Sequence, residues 1–189
     1  MSRSRLLILI VAFLTIAAQL FVPITMAKRY EDILQTGESY LFKVEPIDPS
    51  DPFKGRFVVL TFPISRGNIS DLENPEVTRS LSRKSEAYVT LIKDDKGFTR
   101  VRDIQPQASE EQNYIKLESV HVYSEEYFIT LPFNRYYAEE SKAPKIESLL
   151  WDRGLDENRE FYADVRIKDG YGVIAELYIN NTPILEYLE

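Results

Sequence analysis

A chain of 189 residues with 12% aromatics, and with ten prolines against seven glycines, has room for one domain or for two small β-subdomains sharing a core; this composition suits short strands joined by stiff turns better than a helical bundle. There is no cysteine and only one histidine, which excludes disulfide stapling, thiolate catalysis, cysteine zinc sites and any chemistry that needs two imidazoles. Arg3, Arg5, Lys28 and Arg29 precede Tyr30 and no acid does, so the remainder carries 19 basic against 30 acidic groups and a formal charge of −11, a field that repels phosphate backbones and excludes nucleic-acid binding.

Residues 6–27 form an uncharged run of 22 residues. As a helix at about 1.5 Å per residue it reaches about 33 Å, enough for a hydrocarbon core of about 30 Å. The reading is a transmembrane anchor over residues 1–29 and a β-rich extracytoplasmic domain over residues 30–189. The alternative is a cleaved signal peptide, because Thr25-Met26-Ala27 loosely resembles a small-x-small cleavage site; the run exceeds the roughly 7 to 15 residues of a signal h-region, which favours an uncleaved tether. Basic residues flank both ends of the run, and the short N-terminal flank decides orientation: N-terminus in the cytoplasm, domain outside, in the periplasm or beyond the cell.

Tyr30, Ile33 and Leu34 recur at helical spacing and Gly37 follows as a stop, so the helix continues past the run by one or two amphipathic turns. Residues 39–44 read as the first strand. Residues 46–52 pack three prolines and two aspartates into a stiff corner, and residues 56–64 read as a second strand, apolar on both faces and therefore central. Residues 65–85 read as a long polar connection and the most mobile part, with one helical turn around residues 76–81. Residues 86–93 and 98–104 make a hairpin around Asp94-Asp95-Lys96-Gly97. Residues 114–123 and 127–131 make another strand pair. Pro144, Glu147, the apolar set Ile146, Leu149 and Leu150, then Arg153 and Gly154, signal a short helix. The end reads as strands over residues 160–168, 171–179 and 182–188, with Asp169-Gly170 as a type I′ turn. The fold class is mainly β (α+β): two small antiparallel sheets or open barrels with one short helix, behind the N-terminal transmembrane helix.

Asp48-Pro49-x-Asp51-Pro52-x-Lys54-Gly55-Arg56-Phe57-Val58-Val59-Leu60-Thr61-Phe62 resembles the signature of the GDYXXLXY-domain proteins, in which a D-P-x-D-P-x-R/K segment leads into G-D-Y-x-x-L-x-Y. Arg135-Tyr136-Tyr137-x-Glu139-Glu140, followed by a helix with Ile146-Glu147, is similar to that family's R-[FY]-[FY]-x-x-E segment, and the closing Asp169-Gly170 hairpin matches in place. The likeness covers the anchor and nearly all of the remainder. Arg56 stands where the family has Asp, and Phe57 and Phe62 stand where it has Tyr, so no role for that carboxylate or those hydroxyls carries over. The resemblance implies a membrane-anchored protein with no assigned activity, linked with multi-pass membrane proteins.

Asp48 and Asp51 are candidates for holding a cation or a basic partner, because carboxylates in a proline-stiffened turn lose little entropy on ordering; the alternative is that each caps a turn. Arg56 is a candidate partner for Glu139 or Glu140. If the two motifs line one groove, Arg56, Arg135, Tyr136, Tyr137, Glu139 and Glu140 make a charged and aromatic lining for a peptide or partner loop; the alternative is an interstrand salt bridge with the aromatics in the core. His121 shares a strand face with Ser119 and Tyr123, yet no nucleophile-elbow motif accompanies any serine. Ser82, Lys84 and Ser85 contain the elements of a Ser-Lys dyad, but a lysine among polar neighbours keeps its proton. No catalytic residue, metal or cofactor is expected. The reading is a tethered module that binds or assembles with a multi-pass membrane protein; the alternative is a hydrolase or ligand sensor with a pocket between two β-subdomains.

Overall fold

The turn that the sequence marks best sets the frame. Asp169 and Gly170 take φ of 50° and 78°, the left-handed pair a two-residue hairpin needs. They join two strands, Phe161–Lys168 and Tyr171–Ile179, around which the other elements gather. The structure is a computed structural model that describes residues 3–45, 57–81, 86–110, 113–151 and 159–188, without the side chains of residues 3–9, 11 and 151.

In chain order the elements are α1 (Arg3–Thr36), β1 (Glu38–Lys43), β2 (Phe57–Val59), β3 (Arg66–Asn68), α2 (Pro75–Ser80), β4 (Tyr88–Lys93), β5 (Thr99–Gln105), β6 (Tyr114–Lys116), β7 (Ser119–Tyr123), β8 (Glu126–Thr130), β9 (Arg135–Tyr137), α3 (Ala143–Trp151), β10 (Phe161–Lys168), β11 (Tyr171–Ile179), β12 (Thr182–Pro183) and α4 (Ile184–Tyr187). The strands form four small antiparallel sheets among the described residues, ordered β1-β10-β11-β12, β2-β9, β3-β8-β7 and β5-β4-β6. None of them closes into a barrel. The chain is thus mainly β with several small sheets and four described helices, rather than two sheets and one short helix.

Central strands carry the apolar runs. In β10, Phe161, Tyr162, Ala163, Asp164 and Val165 are all buried, because β1 and β11 cover both edges and neighbouring elements cover both faces. Phe42 of β1, Phe62 and Phe133 form an edge-to-face triangle with centroids 5.4 to 5.7 Å apart. These three segments are distant in sequence, and such ring pairs add about 0.5–1.5 kcal/mol each beyond the area they bury.

Several sequence expectations change. The strand expected at residues 56–64 is only β2, with Val58 buried and Phe57 and Val59 half-buried; Pro63, which has no N–H to offer a ladder, opens a 3-10 turn over Pro63–Ser65 instead. Residues 65–81 of the expected loop hold β3, a 3-10 turn and α2, pinned by the Thr78 hydroxyl donating to the Ile104 carbonyl at 3.0 Å. The strand expected over residues 114–123 splits into β6 and β7 in different sheets: Leu117 N–H turns to the Ala87 carbonyl and Glu118 N–H to the Thr130 carbonyl. The last expected strand stops at Pro183 and becomes α4, whose Ile184 is fully buried.

The base of α1 is fastened to the β10–β11 hairpin. Ile33 is buried, and Gly37 N–H donates to the Ile33 carbonyl at 2.8 Å, closing the helix where the sequence placed its stop. Lys168 Nζ donates to Asp32 Oδ2 at 2.7 Å and to Thr36 Oγ1 at 2.8 Å, and the Arg29 guanidinium sits 4.0 Å over the Tyr171 ring. The Lys168 contact holds the Asp32 carboxyl below its ordinary value. Among the described residues no helix is long and apolar enough to cross a membrane. The side chains described within residues 6–27 begin at Ile10 and Ala12, and that shorter stretch contains Thr15, Gln19, Pro23 and Thr25 before the charged turn at Lys28 to Asp32.

Candidate interaction face

The two motif segments are partner strands. β2 and β9 pair antiparallel with Phe57 opposite Tyr137, Val58 opposite Tyr136 and Val59 opposite Arg135. Strand alternation then sorts the side chains. Val58 and Tyr136 point inward and are buried, whereas Arg135 and Tyr137 are exposed, Tyr137 by 65%. On the outer side the Phe57 and Tyr137 rings lie 6.0 Å apart and the Arg135 guanidinium rests 4.9 Å from the Phe57 ring centroid, a cation over an aromatic face.

Behind this ladder the structure is stiff. Tyr136 donates its hydroxyl to Glu176 Oε1 at 2.7 Å, and Leu177 N–H donates to the same oxygen at 2.9 Å. Burial first, and the Glu176 carboxylate second, push the Tyr136 phenol above its ordinary value. α3 packs against β2 with Ala143, Ile146 and Leu150 buried; it starts one residue before Pro144, with the Glu139 carbonyl accepting from Lys142 and Ala143 N–H. Its expected stop, Arg153 and Gly154, lies outside the described residues. The face also adjoins α1. The Tyr30 phenol is raised above its usual value by burial first and by Tyr137 second.

Arg135 and Tyr137 therefore share one exposed face, with Phe57 as a third member that the sequence reading did not name. Tyr136, expected in the lining, belongs to the core. Glu139 and Glu140 are exposed just beyond β9. Asp48, Asp51 and Arg56 lie outside the described residues, as do Ser82, Lys84 and Ser85. His121 is half-buried with its Nδ1 making no hydrogen bond among the described residues, and the Ser119 hydroxyl instead shares a hydrogen bond with Thr130 Oγ1 at 2.7 Å. Among the described residues no cluster of three or more His, Cys, Asp or Glu side chains has the geometry to hold a metal ion.

No curated protein and no solved structure matches this chain. The model of the GDYXXLXY protein family matches residues 19–177, a span that takes in the second half of α1, the β2–β9 pair and nearly all of the β10–β11 hairpin. The match covers most of the chain, and the two paired motifs lie within it: the chain belongs to the GDYXXLXY protein family.

Proposed function

We propose that the chain is a tethered binding module: residues 6–27 stay in a bilayer with the N-terminus in the cytoplasm, and the domain outside presents the β2–β9 face to a multi-pass membrane protein. The observation that carries this reading is the ladder of half-buried Phe57 with exposed Arg135 and Tyr137 beside the foot of α1. Arginine and tyrosine stacked on a rigid two-stranded platform are the side chains that dominate protein interfaces. The tether is supported by Phe13, Leu14, Ile16, Leu20, Phe21, Val22, Ile24 and Met26, each more than half exposed. That is more contiguous apolar surface than a chain leaves in water without an occupant. The uncharged length of residues 6–27 matches a hydrocarbon core.

The test is recovery of a polytopic partner with the tagged full chain from membranes solubilised in mild detergent. Arg135→Glu and Tyr137→Ala should each reduce recovery strongly while leaving the thermal midpoint within about 2 °C, as surface substitutions do. Unchanged recovery in both variants removes the face. Release of the wild-type chain from membranes by alkaline carbonate removes the tether.

A further inference from the structure

Away from the β2–β9 face, a cleft of about 280 Å³ opens where the edges of three sheets meet; Lys43, Arg66, Gly67, Asp71, Arg100 and Tyr127 line it. Its back wall is built around one hydroxyl. Tyr127 is 6% exposed and pairs across the ladder with Gly67. A Cβ added at Gly67 would lie 2.6 Å from the Tyr127 hydroxyl oxygen, so the phenol can lie there only because position 67 has no side chain. That hydroxyl makes no hydrogen bond among the described residues, and it is not one of their fully buried orphan atoms, so it is open to the cleft that Tyr127 lines. Burial first and Asp71 second push it up to about 12, so at neutral pH it is a protonated donor.

The lining brings three cations together with two carboxylates. Arg100 has no ion pair among the described residues and acts on the Tyr127 phenol in the sense opposite to Asp71. Arg66 reaches Glu45 only at 3.7 Å, which is beyond a hydrogen bond. Lys43 pairs with Glu160 at 3.0 Å and lies 4.5 Å over the Phe98 ring. Of the two acids in the lining, Asp94 is already committed: its Oδ1 accepts the N–H groups of Lys96 and Phe98, both at 2.9 Å. Three cations and a phenol without a bond to a described residue thus face one cleft together with Asp71 and Asp94, and Glu160 and Glu45 lie beside Lys43 and Arg66.

The geometry points to a binding site for a small molecule carrying one oxyanion group, a carboxylate or a phosphate, with the Arg100 and Arg66 guanidinium groups and the Tyr127 hydroxyl as its donors. Guanidinium groups suit both anions because their parallel N–H groups match two oxygens at once. Asp71 at the same cleft disfavours ligands of high negative charge and favours one that carries a donor beside its oxyanion. The site is independent of the tether and of the β2–β9 face.

The experiment titrates the full chain in non-ionic detergent with inorganic phosphate and, separately, with acetate, at constant ionic strength against sodium chloride, following the Gly67 and Arg100 amide resonances. A saturable shift with either anion is expected, and the anion that gives it identifies the oxyanion. Arg100→Gln should weaken that affinity about tenfold, the loss of one charged hydrogen bond. Tyr127→Phe should weaken it about threefold while leaving the thermal midpoint of the unliganded protein unchanged, since the hydroxyl has no internal bond to lose. Absence of a saturable shift with both anions overturns the site, as does wild-type affinity in Arg100→Gln. A lowered midpoint in unliganded Tyr127→Phe overturns the role given to the phenol.

Discussion

Tyr136 donates its hydroxyl to Glu176 at 2.7 Å, and with that bond the segment carrying the exposed Arg135 and Tyr137 is tied to the C-terminal hairpin. β9 has three residues and one partner strand, so the bond supplies rigidity that its short ladder lacks. Tyr136→Phe keeps the ring in place and leaves a half-buried carboxylate with one donor fewer. The expected cost is about 1–2 kcal/mol, read as a lower denaturant midpoint with an unchanged slope.

The same phenol and that of Tyr127 set a pH dependence. Both are raised above the ordinary tyrosine value of 10.0, Tyr127 to about 12. In the unfolded chain they ionise near 10, whereas in the folded chain burial holds them neutral. Their contribution is therefore fully present below pH 10 and is lost as pH rises through the folded values. The thermal midpoint should stay level up to about pH 10 and fall beyond it, more shallowly in the Tyr127→Phe, Tyr136→Phe double variant. An equal fall in both proteins would count against these two groups as the cause.

The aromatic triangle predicts a coupling. Phe133 contacts Phe42 and Phe62, and a Cβ built at Gly172 would come 2.3 Å from its ring. Phe133→Ala should cost about 3–5 kcal/mol, and Gly172→Ala about 1–3 kcal/mol through overpacking. In the double variant the clash has lost its ring, so the combined cost should fall short of the sum. Urea melts of the four proteins give the cycle.

At the foot of α1, Gly37→Ala places a methyl 2.5 Å from the Ile33 carbonyl oxygen, the oxygen that accepts the Gly37 N–H. Backbone must shift to admit it, at a cost of about 1–3 kcal/mol. Hydrogen exchange should speed up at Gly37 and along β1, with β4 and β5 unaffected.

What the chain declared openly were its local devices. Asp169-Gly170, Asp94 to Gly97 and the Ile33-Gly37 stop each depend on residues a few positions apart, and each took the expected form. Partner exchange was hidden. Residues 114–123 are rich in β-formers, although their apolar set shifts from Ile115 and Leu117 to Val120 and Val122, and the Ala87 and Thr130 carbonyls, distant in sequence, receive Leu117 and Glu118 in two different sheets. Residues 182–188 are apolar enough for a strand, but the buried pocket for Ile184 selects a helical turn. The candidate face was half legible: Arg135 and Tyr137 stood out as a motif, while Phe57 gained meaning only through its pairing with Tyr137. The cleft gave no signal at all, because Arg66, Arg100 and Tyr127 come from three strands and the glycine that makes room for the phenol is unremarkable in sequence.

The junction between helix and sheet has a mechanical consequence. One residue separates Thr36 from Glu38, and Asp32, Thr36 and Arg29 all grip the β10–β11 hairpin. A joint so short, held by these contacts, couples the direction of α1 to that of the sheet. Whatever sets the pitch of α1 also sets the direction in which the four-stranded sheet leans, so the domain is aimed like the head of a bolt by its shaft rather than drifting on a leash.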